Sequence, residues 1–165
     1  MKRLSRLIKV MRMNTIIEEG VCMIRRYKLN GRLPKAKLLK LIEDFKPHWR
    51  NLNIAWMQMG LRELGMDADA IREWFVQQCP IKHKEHASVI IHRIIGHTPR
   101  HTDCMSRSCF LFPIKIGKNV WLGVEDKEVK LEVGNMYRFN DYYDHYLASS
   151  TCAVNILVTV DFTRY

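Results

Sequence analysis

At 165 residues the chain has the length of one domain, on the soft prior of about 150 residues per domain, and can bury a sizeable core. No apolar run reaches the ~18 residues of a membrane helix, and the basic start lacks the apolar stretch and cleavage site of a secretory signal. The net charge of +10 lies wholly in the first third: residues 1–50 hold 14 Lys and Arg against 4 Asp and Glu, and residues 51–165 hold 13 of each.

That asymmetry points to a basic surface for an acidic partner, a nucleic acid or an anionic membrane face, beside the plainer reading of a solvated helix face. Five cysteines (Cys22, Cys79, Cys104, Cys109, Cys152) form an odd set without a CxxC pair. Free thiols in a reducing, cytoplasmic compartment are expected, and a zinc site is not.

Taken in order, Met1 to Met13 places Leu4, Leu7, Ile8 and Met11 at helical spacing among basic residues, which predicts an amphipathic helix. Ile16 to Tyr27 is ambiguous, with Val21 to Ile24 as a possible strand. Asn30-Gly31 marks a turn. Pro34 opens a helix with Leu38, Leu41, Ile42 and Phe45 on one stripe, and Pro47 ends it. Trp49 to Leu64 reads as core, with a second helix ending at Gly65. Asp67 is a candidate N-cap for a helix through Gln78, with Ile71, Trp74, Phe75 and Gln78 at helical spacing and Cys79-Pro80 as its stop.

The composition then changes. Ala87 to Ile95 is β-branched, and strand-like runs follow at 108–116, 119–124, 128–133, 136–140 and 145–161. Many short strands predict an antiparallel barrel or jelly roll. The fold class is therefore α+β within a single domain: a basic, helical part at 1–80 supporting a β-rich core at 85–165.

The β-rich part carries the chemistry. His101-Thr102-Asp103 and, 44 residues on, His145 supply the two imidazoles and one carboxylate that hold non-haem Fe(II) on one face and leave positions open. In a strand, His101 and Asp103 project to the same side. Asp141, Asp144, His92 and His97 are further ligand candidates or hydrogen-bonding supports for the ligands. His83 and His86 extend the histidine-rich approach.

Gly96-His97-Thr98-Pro99-Arg100-His101-Thr102-Asp103, Val133 to Asp141 followed by His145, and the run Val154 to Phe162 resemble the aspartyl/asparaginyl β-hydroxylase family and its free-proline hydroxylase relatives, over about the last 75 residues. The resemblance implies a double-stranded β-helix, or cupin-type jelly roll, and an Fe(II)- and 2-oxoglutarate-dependent dioxygenase. Its substrate would be an Asp, Asn or Pro side chain, in a peptide or a free amino acid. His101, Asp103 and His145 would be both metal ligands and catalytic centre.

One departure concerns the co-substrate. The family places an arginine ten residues after the distal histidine, where Asn155 stands here. An Arg and a His expected on the strand after HxD fall on Phe110 and Phe112. Asparagine cannot form a charge-assisted pair with a carboxylate. Lys115, given a bulge near Pro113, is the first candidate replacement with Arg107; Arg93 is the third. Two other readings follow. One is a cupin-like module for a metal or small ligand, without 2-oxoglutarate turnover, lined by Tyr137, Phe139, Tyr142, Tyr143, Tyr146 and pocket-side Phe110 and Phe112. The other is nucleic-acid binding or modification through residues 1–50.

Overall fold

The computed structural model describes residues 15–16, 24–44, 50–53, 56–61, 68–82, 84–103 and 107–161. Two α-helices, a short 3-10 helix (Lys84–His86) and ten strands occur among them. The helix predicted at Met1–Met13 lies outside the described residues.

α1 (Lys35–Asp44) follows Pro34, whose carbonyl accepts the first helical N–H, that of Leu38, at 3.1 Å. Leu38 and Ile42, one turn apart, are its buried stripe. Lys40 and Asp44 pair on the solvent side at 2.9 Å. α2 (Asp69–Gln78) buries Ile71, Phe75 and Val76 and stops at Cys79, whose extended backbone leads into Pro80. Asp67 lies outside the described residues, and the cap position falls on Ala68 with no side-chain hydrogen bond.

The strands are β1 (Thr15–Ile16), β2 (Arg25–Lys28), β3 (Arg50–Asn53), β4 (Trp56–Gly60), β5 (Ser88–His97), β6 (Arg107–Lys115), β7 (Val120–Val124), β8 (Lys127–Lys130), β9 (Asn135–Asn140) and β10 (His145–Asp161). All pair antiparallel, in the order β1-β2-β9-β6-β10-β5-β4-β3, with β7 joined to β10 and β8 to β7. β10 serves two layers. His145–Ser149 pairs with β7 in the smaller sheet, whereas residues 153–161 run between β5 and β6 in the larger one. The change occurs at a register break between Ser149 and Ala153, opposite Gly96, whose φ of +91° gives β5 a bend that other residues resist. The result is two facing antiparallel sheets, the jelly-roll arrangement expected for this half of the chain.

Two clusters form the core, one on each face of the larger sheet. Val89, Ile91, Phe110, Phe112 and Ile114 pack outward against α1 and α2, with the Phe75 and Phe112 rings edge-to-face at 5.1 Å. Ile94, Cys109, Leu111, Val120, Leu122, Tyr137, Phe139 and Leu147 fill the space between the sheets. Each such apolar side chain contributes about 1.5–3 kcal/mol on burial. Phe110 and Phe112 therefore belong to the helix-covered face, contrary to their expected place in the pocket. Both faces of β6 are apolar, so its sequence alone does not mark which parity points inward.

One more expectation needs correction. Where a second helix was expected, the described residues form β3 and β4, β4 pairing with β5 from Trp56↔Ile94 to Gly60↔Ile90. Short apolar runs do not separate helix from strand by periodicity, and here the free edge of β5 decides. Of the possible strand Val21–Ile24, residues 21–23 lie outside the described residues; a strand forms directly after it, at Arg25–Lys28, where it pairs with β9. The first 80 residues thus add strands to the sheet as well as helices over it. No helix among the described residues is long and apolar enough to cross a membrane.

Candidate metal centre

The two segments carrying the predicted ligands lie side by side. His101 and His145 form an isolated antiparallel bridge, each backbone N–H donating to the other's carbonyl, at 3.1 and 2.9 Å. Their rings stand 4.3 Å apart between centroids. The Asp103 N–H donates to the Asp141 carbonyl at 2.9 Å and continues the alignment.

Each ring is oriented in the same way. The Nδ1 of His101 lies 2.8 Å from the Pro99 carbonyl, and that of His145 lies 2.9 Å from the Tyr143 carbonyl. A carbonyl only accepts, so Nδ1 carries a proton in both rings. Backbone carbonyls on the remote nitrogen are a common support of metal-binding histidines. Burial is the main cause that lowers the His145 pKa below the ordinary histidine range, against upward pulls from the Tyr143 carbonyl, Asp103 and Asp141. A neutral imidazole is the form a metal needs.

Asp103 is half-buried and near enough to act on the His145 pKa. Even so, among the described residues no three His, Cys, Asp or Glu side chains close on one point as a ligand set. The structure brings the two histidines together and leaves the carboxylate beside them. Two imidazoles, each with Nδ1 engaged by a backbone carbonyl, and a neighbouring carboxylate suit Fe(II) in donor chemistry.

Behind the pair is a cavity of about 30 Å³. His92, His101, His145 and Thr98 are its polar lining, and Leu111, Leu122, Phe139, Tyr146 and Leu147 complete it. No Lys or Arg lines it among the described residues. His92 is buried, and its pKa is pushed down to about 4, first by burial and then by His101 and His145, against Asp103. It is neutral at pH 7. In the sheet it is the Cα partner of Asn155 on one side and Gln58 on the other.

The candidate cations stand elsewhere. Lys115 is exposed at the end of β6, and the expected bulge is present there: Val154 faces Lys115 while Asn155 faces Pro113, so Ile114 is the extra residue. Arg93 is half-buried and next to His92 on β5, hence on the opposite face. The Arg107 backbone opens β6 opposite Asp161; the side chains of Arg107 and Asn155 lie outside those described. His97 is exposed, as is His86, which sits 3.7 Å from Glu85. His83 and Cys104 lie outside the described residues. Cys79 and Cys109 are buried thiols; burial drives the Cys79 thiol well above its usual pKa. Of the predicted aromatic lining, Phe139 and Tyr146 reach the cavity, Tyr137 is buried in the core, and Tyr142 and Tyr143 are exposed.

Some supports carry no sequence signature. Thr98 is buried, and its Oγ1 accepts the Leu147 N–H at 2.7 Å. Arg100 donates to the Glu125 carbonyl at 3.1 Å, pairs with Asp144 at 3.5 Å and lies over the Tyr146 ring at 4.5 Å. Glu125 in turn exchanges hydrogen bonds with the Asp144 backbone at 2.7 and 3.0 Å. Arg100 and Asp144 directly precede His101 and His145, so this exposed network ties both histidine segments to the β7–β8 turn. Gly123 sits across from Tyr146, and a Cβ there would strike the Tyr146 ring.

Among solved structures the chain is similar to a prolyl hydroxylase from Trichoplax adhaerens, solved with a hypoxia inducible factor peptide fragment. The TM-score is 0.63 at 12% identity, over 86% of this chain and 84% of that one. The two share a fold. A salicylate 1,2-dioxygenase from Pseudoaminobacter salicylatoxidans superposes with a TM-score of 0.43 at 12% identity, over 75% of this chain and 31% of that one. A cupin-2 domain protein from Shewanella frigidimarina gives 0.39 at 12% identity, over 44% and 69%. No protein-family model matches the chain, and no curated sequence matches it.

Proposed function

We propose that the chain is a metal-dependent oxygenase of the cupin-type fold, with Fe(II) held by His101, Asp103 and His145. The observation that carries this is the His101–His145 pair, 4.3 Å apart, with each Nδ1 engaged by a carbonyl two residues earlier in the chain. When bound, Fe(II) would supply open positions at which a 2-oxo acid and O₂ react. The protein's own part is to orient both imidazoles through the Pro99 and Tyr143 carbonyls and, by burial, to favour the neutral form of His145. Leu111, Leu122, Phe139 and Leu147 give the cavity an apolar wall. 2-Oxoglutarate is the co-substrate implied by the resemblance, and an Asp, Asn or Pro side chain is the substrate class. The peptide held by the structurally similar prolyl hydroxylase is in keeping with a peptide substrate here.

A second reading, a metal- or ligand-binding module without 2-oxoglutarate turnover, is favoured by a cavity that no described cation lines. Metal analysis of protein purified without chelator tests the leading reading. One Fe(II), or Mn(II) as surrogate, should bind per chain, and His101→Ala, Asp103→Ala and His145→Ala should each remove most of it. Unchanged metal content in all three variants refutes the assignment.

A further inference from the structure

We propose that the corner between β2 and α1 is a docking cleft for an acidic peptide segment that also carries aliphatic side chains, separate from the histidine pair and independent of any metal there. The cleft has a volume of about 650 Å³ and is walled by residues 32–37, Leu39 and Val133. Arg32, Lys35 and Lys37 are exposed cations in its lining, and no lining residue is acidic. It shares no residue with the cavity behind His101 and His145.

The charges have no use within α1. Lys40 pairs with Asp44 four residues on, but four residues after Lys35 and Lys37 stand Leu39 and Leu41, so neither lysine meets an acid along the helix. Both lie in the first turn, which holds no acidic side chain and where the helix dipole disfavours positive charge. Their placement works against α1 alone and suits carboxylates brought from outside. The walls set the second requirement. Leu33 and Leu39 pack against the core while half-buried, and Val133 is 43% exposed. They offer aliphatic contact beside the cations, and no lining residue is aromatic. A single-stranded polynucleotide site combines such charge with aromatic faces for the bases. Carboxylates alternating with aliphatic side chains match the cleft better. Its shape is also fixed in advance. The Asn30 N–H donates to Gln78 Oε1 at 2.8 Å, Gln78 Nε2 donates to the Asn30 carbonyl at 3.1 Å, and the Leu29 N–H donates to the Gly134 carbonyl at 3.2 Å. These bonds tie the β2–α1 connection to α2 and to the turn that presents Val133, which lowers the ordering cost on binding. The stretch Met1–Met13 has five Lys and Arg and no Asp or Glu, and the whole chain carries +10, so like charge disfavours either that stretch or a second copy as the occupant.

The test is fluorescence anisotropy with the full chain and a short labelled peptide alternating glutamate and leucine. That peptide should bind saturably, at least roughly tenfold more tightly than the same peptide with glutamine for glutamate or with serine for leucine. Lys35→Glu combined with Lys37→Glu, and separately Arg32→Glu, should each weaken binding at least roughly fivefold. Lys118→Glu, at an exposed position between β6 and β7, should leave it within about twofold. Acidic side chains suit a first helical turn, so the doubly reversed protein should keep its Tm, and its lost binding cannot be ascribed to unfolding. No saturable binding up to about 1 mM overturns the proposal. So does equal binding of the glutamine or the serine peptide, and so does an equal loss in Lys118→Glu, which marks a response to net charge alone. A single-stranded oligonucleotide of matched charge that binds as tightly, and is released by the same variants, overturns it in favour of a polyanion surface.

Discussion

The hydroxyl of Thr98 joins the two histidine segments, and removing it isolates one buried hydrogen bond. Thr98 lies three residues before His101, and Leu147 lies two after His145. The Thr98 N–H donates to the Leu147 carbonyl at 2.8 Å, and Thr98 Oγ1 accepts the Leu147 N–H at 2.7 Å. Both residues are buried. Thr98→Val keeps the side-chain volume but leaves the Leu147 N–H without its acceptor in an apolar surround. That should cost about 1–3 kcal/mol. For a chain of this size each kcal/mol lowers Tm by about 2–4 °C. The assay is urea unfolding of the metal-free protein, with the midpoint falling at constant slope. Thr98→Ser retains the oxygen and should lose much less. Metal affinity should fall with Thr98→Val, because the alignment of His101 and His145 depends on this pairing. A Thr98→Val protein as stable as the parent refutes the view that this bond pins the segments.

Further outcomes follow from the same geometry. His92 has a folded pKa of about 4 against an ordinary 6.5, and His145 is lowered too. Their neutral forms suit the fold above about pH 6.5, and stability is lost as pH falls toward 4, by at most roughly 3 kcal/mol for His92. Urea midpoints of the metal-free protein should therefore drop between pH 7.5 and 5, and His92→Gln should flatten the slope; an equal slope refutes the cause. Arg100→Ala should change stability by less than about 1 kcal/mol, since the pair is exposed. Metal affinity should nevertheless fall by on the order of tenfold, read by competition with a chelator. Lastly, Arg25, Lys28, Arg32, Lys35 and Lys37 are all exposed along β2 and the start of α1. A polynucleotide partner would bind with a steep salt dependence that charge reversal at these positions reduces; no binding at low salt removes that partner.

The strands were legible wherever sequence pattern and tertiary demand coincide. The β-branched run at 87–95 became β5, and the run at 145–161 became β10 with the same limits. That His145 comes beside His101 was legible in the HxD and distal-histidine pattern, whereas the carbonyls two residues back that hold both rings were not. What was not legible is set by register between distant strands. His92 enters the cavity because β5 pairs with β10 in one register, and no feature near residue 92 encodes that. Arg100 acts through Glu125 and Asp144, which reach it only once β7 and β10 are paired. β3 and β4 are short and of mixed composition, and only the β5 edge makes them strands.

The inward parity of β6 bears on the co-substrate. Counting from His101 places the expected cation positions on Phe110 and Phe112, and both turn out to face the helices. Their aromatic character is therefore a requirement of packing against Phe75, not a substitution within the cavity. A count shifted by one residue, as the connection after Asp103 would permit, lands instead on the inward positions Cys109 and Leu111. These are uncharged as well, and from Ser108 to Ile114 no residue of β6 carries a charge. The absence of a cation from Ser108 to Ile114 thus does not depend on the alignment. Lys115 comes after the bulge and is exposed, which leaves Arg107, the first residue of β6 and of the same parity as Cys109 and Leu111, as the strand's other cation. A dicarboxylate in this cavity would have to find its partner there or on another element.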